Sequence, residues 1–82
     1  MAQMKTYDIL VEVAQILRGE HKAWEGDSVW NAETYLHRFA SDFDNAKETA
    51  DDIEKNISAS SEASGLHPNR IQWIVNRIRE GL

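Results

Sequence analysis

The sequence contains no cysteine, and it has only one proline and four glycines. Without thiols the chain can form neither a disulfide nor a cysteine-ligated zinc site, so the packing of apolar side chains must stabilise it. A chain of 82 residues has room for one hydrophobic core. We therefore predict a single domain that spans residues 1–82.

Long apolar runs are also absent. The most apolar stretch, residues 9–17, contains Glu12 and Gln15 and is far shorter than the roughly 20 residues that span a bilayer. The pattern excludes a membrane-spanning segment there and does not resemble a secretion signal. We expect a soluble protein of the cytoplasm that has no membrane partner.

The residue types that carry catalysis or bind metals are scattered. His21, His37 and His67 lie far apart in the sequence. Glu33 and His37 are four residues apart, as two metal ligands on one helix can be, but no further residue completes a site. The sequence has no Gly-rich phosphate loop and no nucleophile elbow. We expect no enzymatic activity, no metal site, no cofactor and no small-molecule substrate.

Charge is unevenly distributed along the chain, whose net charge is −5. Residues 1–66 hold six lysines and arginines against thirteen acidic residues, a net of −7, and residues 67–82 hold three arginines against Glu80, a net of +2. Nucleic-acid phosphates repel an acidic surface. Any contact with nucleic acid must therefore be confined to the C-terminal segment.

The spacing of apolar residues predicts helices at both ends of the chain. The first helix is predicted from about Lys5 to Arg18, because Gly19 ends the periodicity, and residues 20–27 are predicted to form a loop. The last helix is predicted from about Pro68 to Arg79. Its buried stripe consists of Ile71, Ile74, Val75, Ile78 and Leu82.

The middle of the sequence carries a heptad pattern, whose apolar positions we call the seam. These positions are Val29, Ala32, Leu36, Phe39, Phe43, Ala46, Ala50, Ile53 and Ile57. They predict one helix over about 28–57, roughly 45 Å long at 1.5 Å per residue, that can pair as a coiled coil with a second copy of the chain. The alternative is a break near residues 41–45, where Ser, Asp and Asn cluster and can cap a new helix. Trp30, one residue from the seam, is predicted to widen the core.

The C-terminal third, residues 57–82, combines a short Ser- and Ala-rich stretch, the pair Gly65-Leu66 and an amphipathic segment. In this order the features resemble a helix-turn-helix, especially of the winged-helix kind, with Gly65-Leu66 at the turn. Ile71, Ile74 and Ile78 match the core positions of the second helix. The resemblance departs from the family at Ser60 and Ser61, where a large apolar residue and an alanine are usual, and it includes no β-wing.

The resemblance implies a small all-α regulator of transcription that binds DNA as a homodimer paired through the seam. It places the residues that contact base edges on the outer face of the last helix, and Arg77 and Arg79 on phosphates. The residues that it assigns to the bases are Asn69, Arg70, Gln72, Trp73 and Asn76.

A second hypothesis is an acidic helical module or inhibitor that binds a protein partner. Carboxylates on the seam segment can mimic nucleic-acid phosphates and occupy a basic groove, as small inhibitors encoded by phages do; these carboxylates are Asp44, Glu48, Asp51 and Asp52. Trp73 is the other candidate contact, because it falls on one helical stripe with Arg70 and Arg77, and Trp and Arg are enriched in interface hot spots. The plain interpretation of both features is a solvated face and a tryptophan that packs against its neighbours.

Overall fold

A computed structural model describes residues 6–81, and the part described is helical, without strands. The five helices are α1 (Thr6–Arg18), α2 (Ser28–Asp42), α3 (Ala46–Lys55), α4 (Ile57–Ser64) and α5 (Pro68–Gly81). The predicted all-α fold is confirmed. The predicted helix start at Lys5 and the predicted burial of Leu82 lie outside the described residues. Within residues 6–81, no helix combines the length and the apolar composition that crossing a bilayer requires.

Local signals in the sequence set the C-terminal end of α1 and the start of α2. Gly19 adopts a left-handed backbone with φ of 72° after the last residue of α1. Its amide donates to the carbonyl of Ile16, and the amide of Glu20 donates to the carbonyl of Gln15, which together form a Schellman motif. Asp27 caps α2, because its Oδ1 accepts the amide of Trp30 at 3.0 Å.

The prediction of a single helix over 28–57 is wrong, and the predicted alternative is correct: the chain breaks between Asp42 and Ala46. Phe43 is extended, with φ of −114° and ψ of 122°. The carbonyl of Asn45 then accepts both the amide and the Oγ1 hydroxyl of Thr49, at 2.9 and 3.0 Å. Short polar side chains compete for backbone hydrogen bonds and so favour helix ends at such a cluster. A second break, at Asn56, separates α3 from α4.

The core is assembled around α5, which packs against α2, α3 and α4, while α1 packs against α2 and α4. The predicted stripe of α5 is confirmed, because Ile71, Ile74, Val75 and Ile78 are fully buried. Most of the seam is buried within the same chain, at Ala32, Leu36, Phe39, Ala46, Ala50 and Ile53. This part of the seam therefore packs against the protein's own helices and is not available for a coiled coil with a second copy.

Candidate functional site

The turn between α4 and α5 has the left-handed glycine that the sequence predicts. Gly65 has φ of 75°, and its amide donates to the carbonyl of Ser61 at 2.8 Å. The hydroxyl of Ser61 donates to the carbonyl of Leu66, and the amide of Leu66 donates to Ser64 Oγ at 3.2 Å. Left-handed glycines end many helices, so this geometry does not identify a helix-turn-helix, and the resemblance stays a prediction.

The side chains assigned to nucleic acid lie on the outer side of α5, but they differ in exposure. Asn69, Asn76 and Arg79 are exposed, whereas Arg70, Gln72, Trp73 and Arg77 are partly buried. Gln72 donates from Nε2 to Asn76 Oδ1 at 3.1 Å and to Glu54 Oε2 at 3.2 Å. Gln72 therefore binds a carboxylate of α3 in the folded chain.

Arg79 is held by two carboxylates of α3. It donates from Nη1 and Nη2 to the two oxygens of Glu54 at 2.8 and 2.9 Å, and from Nη2 to Asp51 Oδ1 at 2.8 Å. These hydrogen bonds raise the pKa of Arg79, and the hydrogen bond from Arg79, followed by that from Gln72, lowers the pKa of Glu54. Asp51, assigned to the protein-binding surface, and Arg79, assigned to phosphates, are thus partners of each other.

Arg77 is also paired within the chain. Its Nη2 lies 2.8 Å from Glu80 Oε1, and its Nη1 lies 3.7 Å from Glu33 Oε2 of α2. Arg70 and Arg77, which share a helical stripe with Trp73, both stack on its ring: the guanidinium carbon of Arg70 lies 4.8 Å from the ring centroid and that of Arg77 lies 6.0 Å from it. Of the three C-terminal arginines, Arg70 alone has no carboxylate partner among the ion pairs of the described residues.

The acidic residues assigned to a protein partner divide into two groups. Asp44, Glu48 and Asp52 are exposed, and the ion pairs of residues 6–81 do not involve them. Asp51 is partly buried and bound to Arg79. The carboxylates open to a partner, which we call the acidic strip, are therefore Asp44, Glu48 and Asp52, one fewer than the sequence predicts.

Trp30 does not widen the core, and that prediction is wrong: 63% of its surface is exposed. The reason is helical phase, because Trp30 lies two residues before the buried Ala32, about 200° around α2 at 3.6 residues per turn. Val29 beside it is 42% exposed. A sequence argument that weighed the direction of Trp30 against Ala32 and Leu36 would have found this surface.

Two contacts indicate that α2 and α5 run in the same direction. Glu33 pairs with Arg77, and one turn later a Cβ placed on Gly81 would lie 3.3 Å from the Cα of His37. If the two helices keep this register one turn earlier, Val29 and Trp30 lie on the same side of the molecule as Trp73. We call the resulting surface the aromatic face; it consists of Val29, Trp30, Arg70, Trp73 and Arg77.

Comparisons of the chain with protein-family models, with curated proteins and with solved structures give no match. Among the residues that the structure describes, no group of three or more His, Cys, Asp or Glu side chains is arranged to hold a metal ion.

Proposed function

We propose that the chain is a protein-interaction module that binds a protein partner through the aromatic face. The observation that carries the proposal is the exposure of Trp30 on α2, a helix that the Glu33–Arg77 pair joins to α5, which carries Trp73 and its stacked arginines. The exposure of the apolar tryptophan ring to water is unfavourable, and its burial in an interface is favourable. Trp and Arg together are the side chains most enriched in binding hot spots.

The charges on α5 also favour a protein partner over nucleic acid. Phosphates would have to compete with Asp51 and Glu54 for Arg79, and with Glu33 and Glu80 for Arg77. The affinity of DNA-binding proteins depends on cations that are free to replace the counterions of the backbone. A chain of net charge −5 that neutralises these arginines internally offers little of that attraction.

DNA binding is the second candidate, and the turn between α4 and α5 favours it. Gly65 has the left-handed backbone that joins two helices tightly, and Asn69 and Asn76 remain exposed on α5 beyond it. Arg70 would supply the contact to guanine, since its guanidinium can reorient from Trp73. In this alternative α5 is the recognition helix, and Trp30 has no role in binding.

Affinity capture with matched variants tests the proposal. The wild-type chain is used as bait in cells that express it, the captured protein is identified and purified, and its affinity is then measured for each variant. Trp30→Ala should weaken binding by roughly 30-fold or more, the factor that corresponds to a hot spot of about 2 kcal/mol. Tyr7→Ala, which removes another exposed aromatic side chain, on α1, should leave the affinity unchanged.

Two further variants separate the alternatives. Asp44→Lys combined with Glu48→Lys should not affect binding through the aromatic face, and it would abolish binding if the acidic strip held the partner. In parallel, a salt titration with random duplex DNA tests nucleic-acid binding. Binding that weakens steeply with salt, that is lost in Arg70→Ala combined with Asn76→Ala, and that survives in Trp30→Ala would overturn the proposal in favour of DNA.

A further inference from the structure

A groove of about 290 Å³ lies between α1, the connection over residues 19–27 and α2. Four aromatic rings line it, those of Trp24, Tyr35, Phe39 and Phe43, and two carboxylates, of Glu12 and Asp42, belong to its walls. Its volume is near the lower limit of pockets that bind small ligands, roughly 300 Å³. The groove is therefore large enough for one side chain of a partner, which would contact its aromatic rings and carboxylates.

Contacts from α1 and α2 hold the wall that carries Trp24. His21 Nε2 lies 2.8 Å from Glu12 Oε2 of α1, and the amide of Trp24 donates to the carbonyl of His21 at 3.1 Å. On the other side, Asn31 of α2 donates from Nδ2 to the carbonyl of Glu25 at 2.9 Å. The connection is thus tied to both helices on either side of Trp24, which gives the ring a defined place.

The groove already accommodates a cation. The guanidinium carbon of Arg38 lies 5.5 Å from the ring centroid of Trp24, within the range of a cation–π contact. Arg38 is itself exposed, so its side chain can move away from the ring without a loss of core packing. The Trp24 ring therefore presents a face to which a second guanidinium can bind when Arg38 leaves it.

The charges around the groove are negative. The pKa of Tyr35 is raised to about 12, first by burial and then by the negative charges of Glu12 and Asp8. The lining holds the carboxylates of Glu12 and Asp42 together with Arg38 and His21, of which His21 contacts Glu12, and its formal net charge is −1 with His21 counted as neutral. Aromatic faces combined with carboxylates favour a planar cation, because a guanidinium stacks on a ring and forms hydrogen bonds with carboxylates at its edge.

We propose that this groove binds the arginine side chain of a partner protein, which replaces Arg38 on the face of Trp24. The proposal is independent of the aromatic face, since Tyr35 lies about 200° around α2 from Glu33, on the opposite side of the helix. An arginine in this groove complements the net charge of −5 of the chain. The groove and the aromatic face can therefore be tested, and can fail, separately.

The test is a nuclear magnetic resonance titration of the full chain with the peptide acetyl-Gly-Arg-Gly-amide. The indole signal of Trp24 and the backbone signals of Tyr35 and Arg38 should shift and saturate. The matched ligand is the same peptide with citrulline, which has the shape of arginine but no charge, and it should give no saturating shift. Equal shifts with both peptides would overturn the proposal, because the groove would then bind without regard to charge.

Three single variants test the assignment of residues. Asp42→Asn should weaken binding by about two- to fivefold, the size of one exposed ion pair. Asp44→Asn makes the same charge change two residues away and outside the groove, and it should leave binding unchanged. Arg38→Gln should tighten binding, because it removes the competitor from Trp24.

Two results of these variants would overturn the proposal. Equal losses of affinity in Asp42→Asn and Asp44→Asn would indicate a diffuse attraction to the acidic surface and no defined site. Unchanged or weaker binding in Arg38→Gln would show that arginine does not exchange on Trp24. All three substitutions replace exposed side chains, and the spectrum of each free variant reports whether it is folded.

Discussion

Ser60 and Ser64 lie one turn apart on α4, and both are buried, but their hydroxyls differ in partners. Ser64 Oγ donates to the carbonyl of Ser60 at 2.8 Å and accepts the amide of Leu66 at 3.2 Å. Ser60 Oγ is fully buried and has no hydrogen-bond partner among the described residues. The position that departs from the helix-turn-helix pattern therefore also carries an unfavourable buried polar group.

We predict that Ser60→Ala stabilises the protein. Alanine removes the buried hydroxyl and its desolvation cost, and it should raise the free energy of unfolding by about 1 kcal/mol. Urea unfolding measures the change. Ser64→Ala is the matched control, and it should lower the free energy of unfolding by about 1 kcal/mol, because the amide of Leu66 loses its acceptor. A loss of stability in Ser60→Ala similar to that in Ser64→Ala would contradict the prediction.

At the scale of helices, α2 and α5 approach closely at the end of α5. A Cβ placed on Gly81 would lie 2.9 Å from the Cβ of Ala40. We predict that Gly81→Ala destabilises the protein by about 1 kcal/mol, because the overlap outweighs the better helix propensity of alanine. Thermal unfolding checks this, and adding Ala40→Gly to Gly81→Ala should relieve the overlap. A Gly81→Ala variant that is more stable than wild type would contradict the close approach of Gly81 to Ala40.

The ion pairs between α3 and α5 predict a dependence of stability on pH. The pKa of Glu54 is lowered from 4.5, mainly by its hydrogen bond with Arg79, so the ionised form stabilises the folded state. This contribution is present above the ordinary pKa of 4.5 and is lost as the pH falls through the lowered value. Glu54→Gln should therefore lower the free energy of unfolding at pH 7 and have a diminishing effect toward pH 3.

Denaturant unfolding of wild type and Glu54→Gln at several pH values measures this difference. Glu48→Gln is the control, since Glu48 is exposed on the same helix and takes no part in the ion pairs of the described residues. It should change stability little at any pH. A constant difference between wild type and Glu54→Gln from pH 7 to pH 3 would show that the ion pair does not contribute through its charge.

The helices could be predicted from the sequence where local signals agree. Gly19, Asp27 and Pro68 mark helix ends through backbone chemistry that acts within one turn, and α5 buries the predicted stripe. The middle helix is predicted to end near residue 57, one residue from the break at Asn56, although the apolar spacing continues through that break from Ile53 to Ile57. Periodicity reports which side chains are buried, and consecutive short helices around one core can keep the same phase.

The candidate site was predicted in part, for a similar reason. The stacking of Arg70 on Trp73 follows from their spacing of three residues on one helix, so it can be predicted from the sequence. The pairing of Arg79 with Asp51 and Glu54 joins residues 25 and 28 positions apart, and it depends on how α3 packs against α5. Sequence patterns assigned these charges separately, to phosphates and to a partner, because no local spacing connects them.

In the structure, most of the seam packs within one chain. An apolar stripe with heptad spacing can pair with a second copy or fold back on its own chain. Here α5 covers α2 and α3, and seam residues such as Leu36, Ala50 and Ile53 are fully buried in one chain. The buried seam residues are therefore not available to a second copy, and pairing between copies would have to use other residues.

We predict that the protein is a monomer at low micromolar concentration, because most of the seam is buried and we assign the aromatic face, which carries the strongly exposed Trp30, to a different protein. Light scattering or sedimentation should give the mass of one chain, in wild type and in Trp30→Ala alike. A two-chain mass that Trp30→Ala reduces to one would contradict this prediction and assign the aromatic face to pairing between copies. A two-chain mass that persists in Trp30→Ala would place the contact elsewhere, and it would leave the aromatic face open to the protein partner.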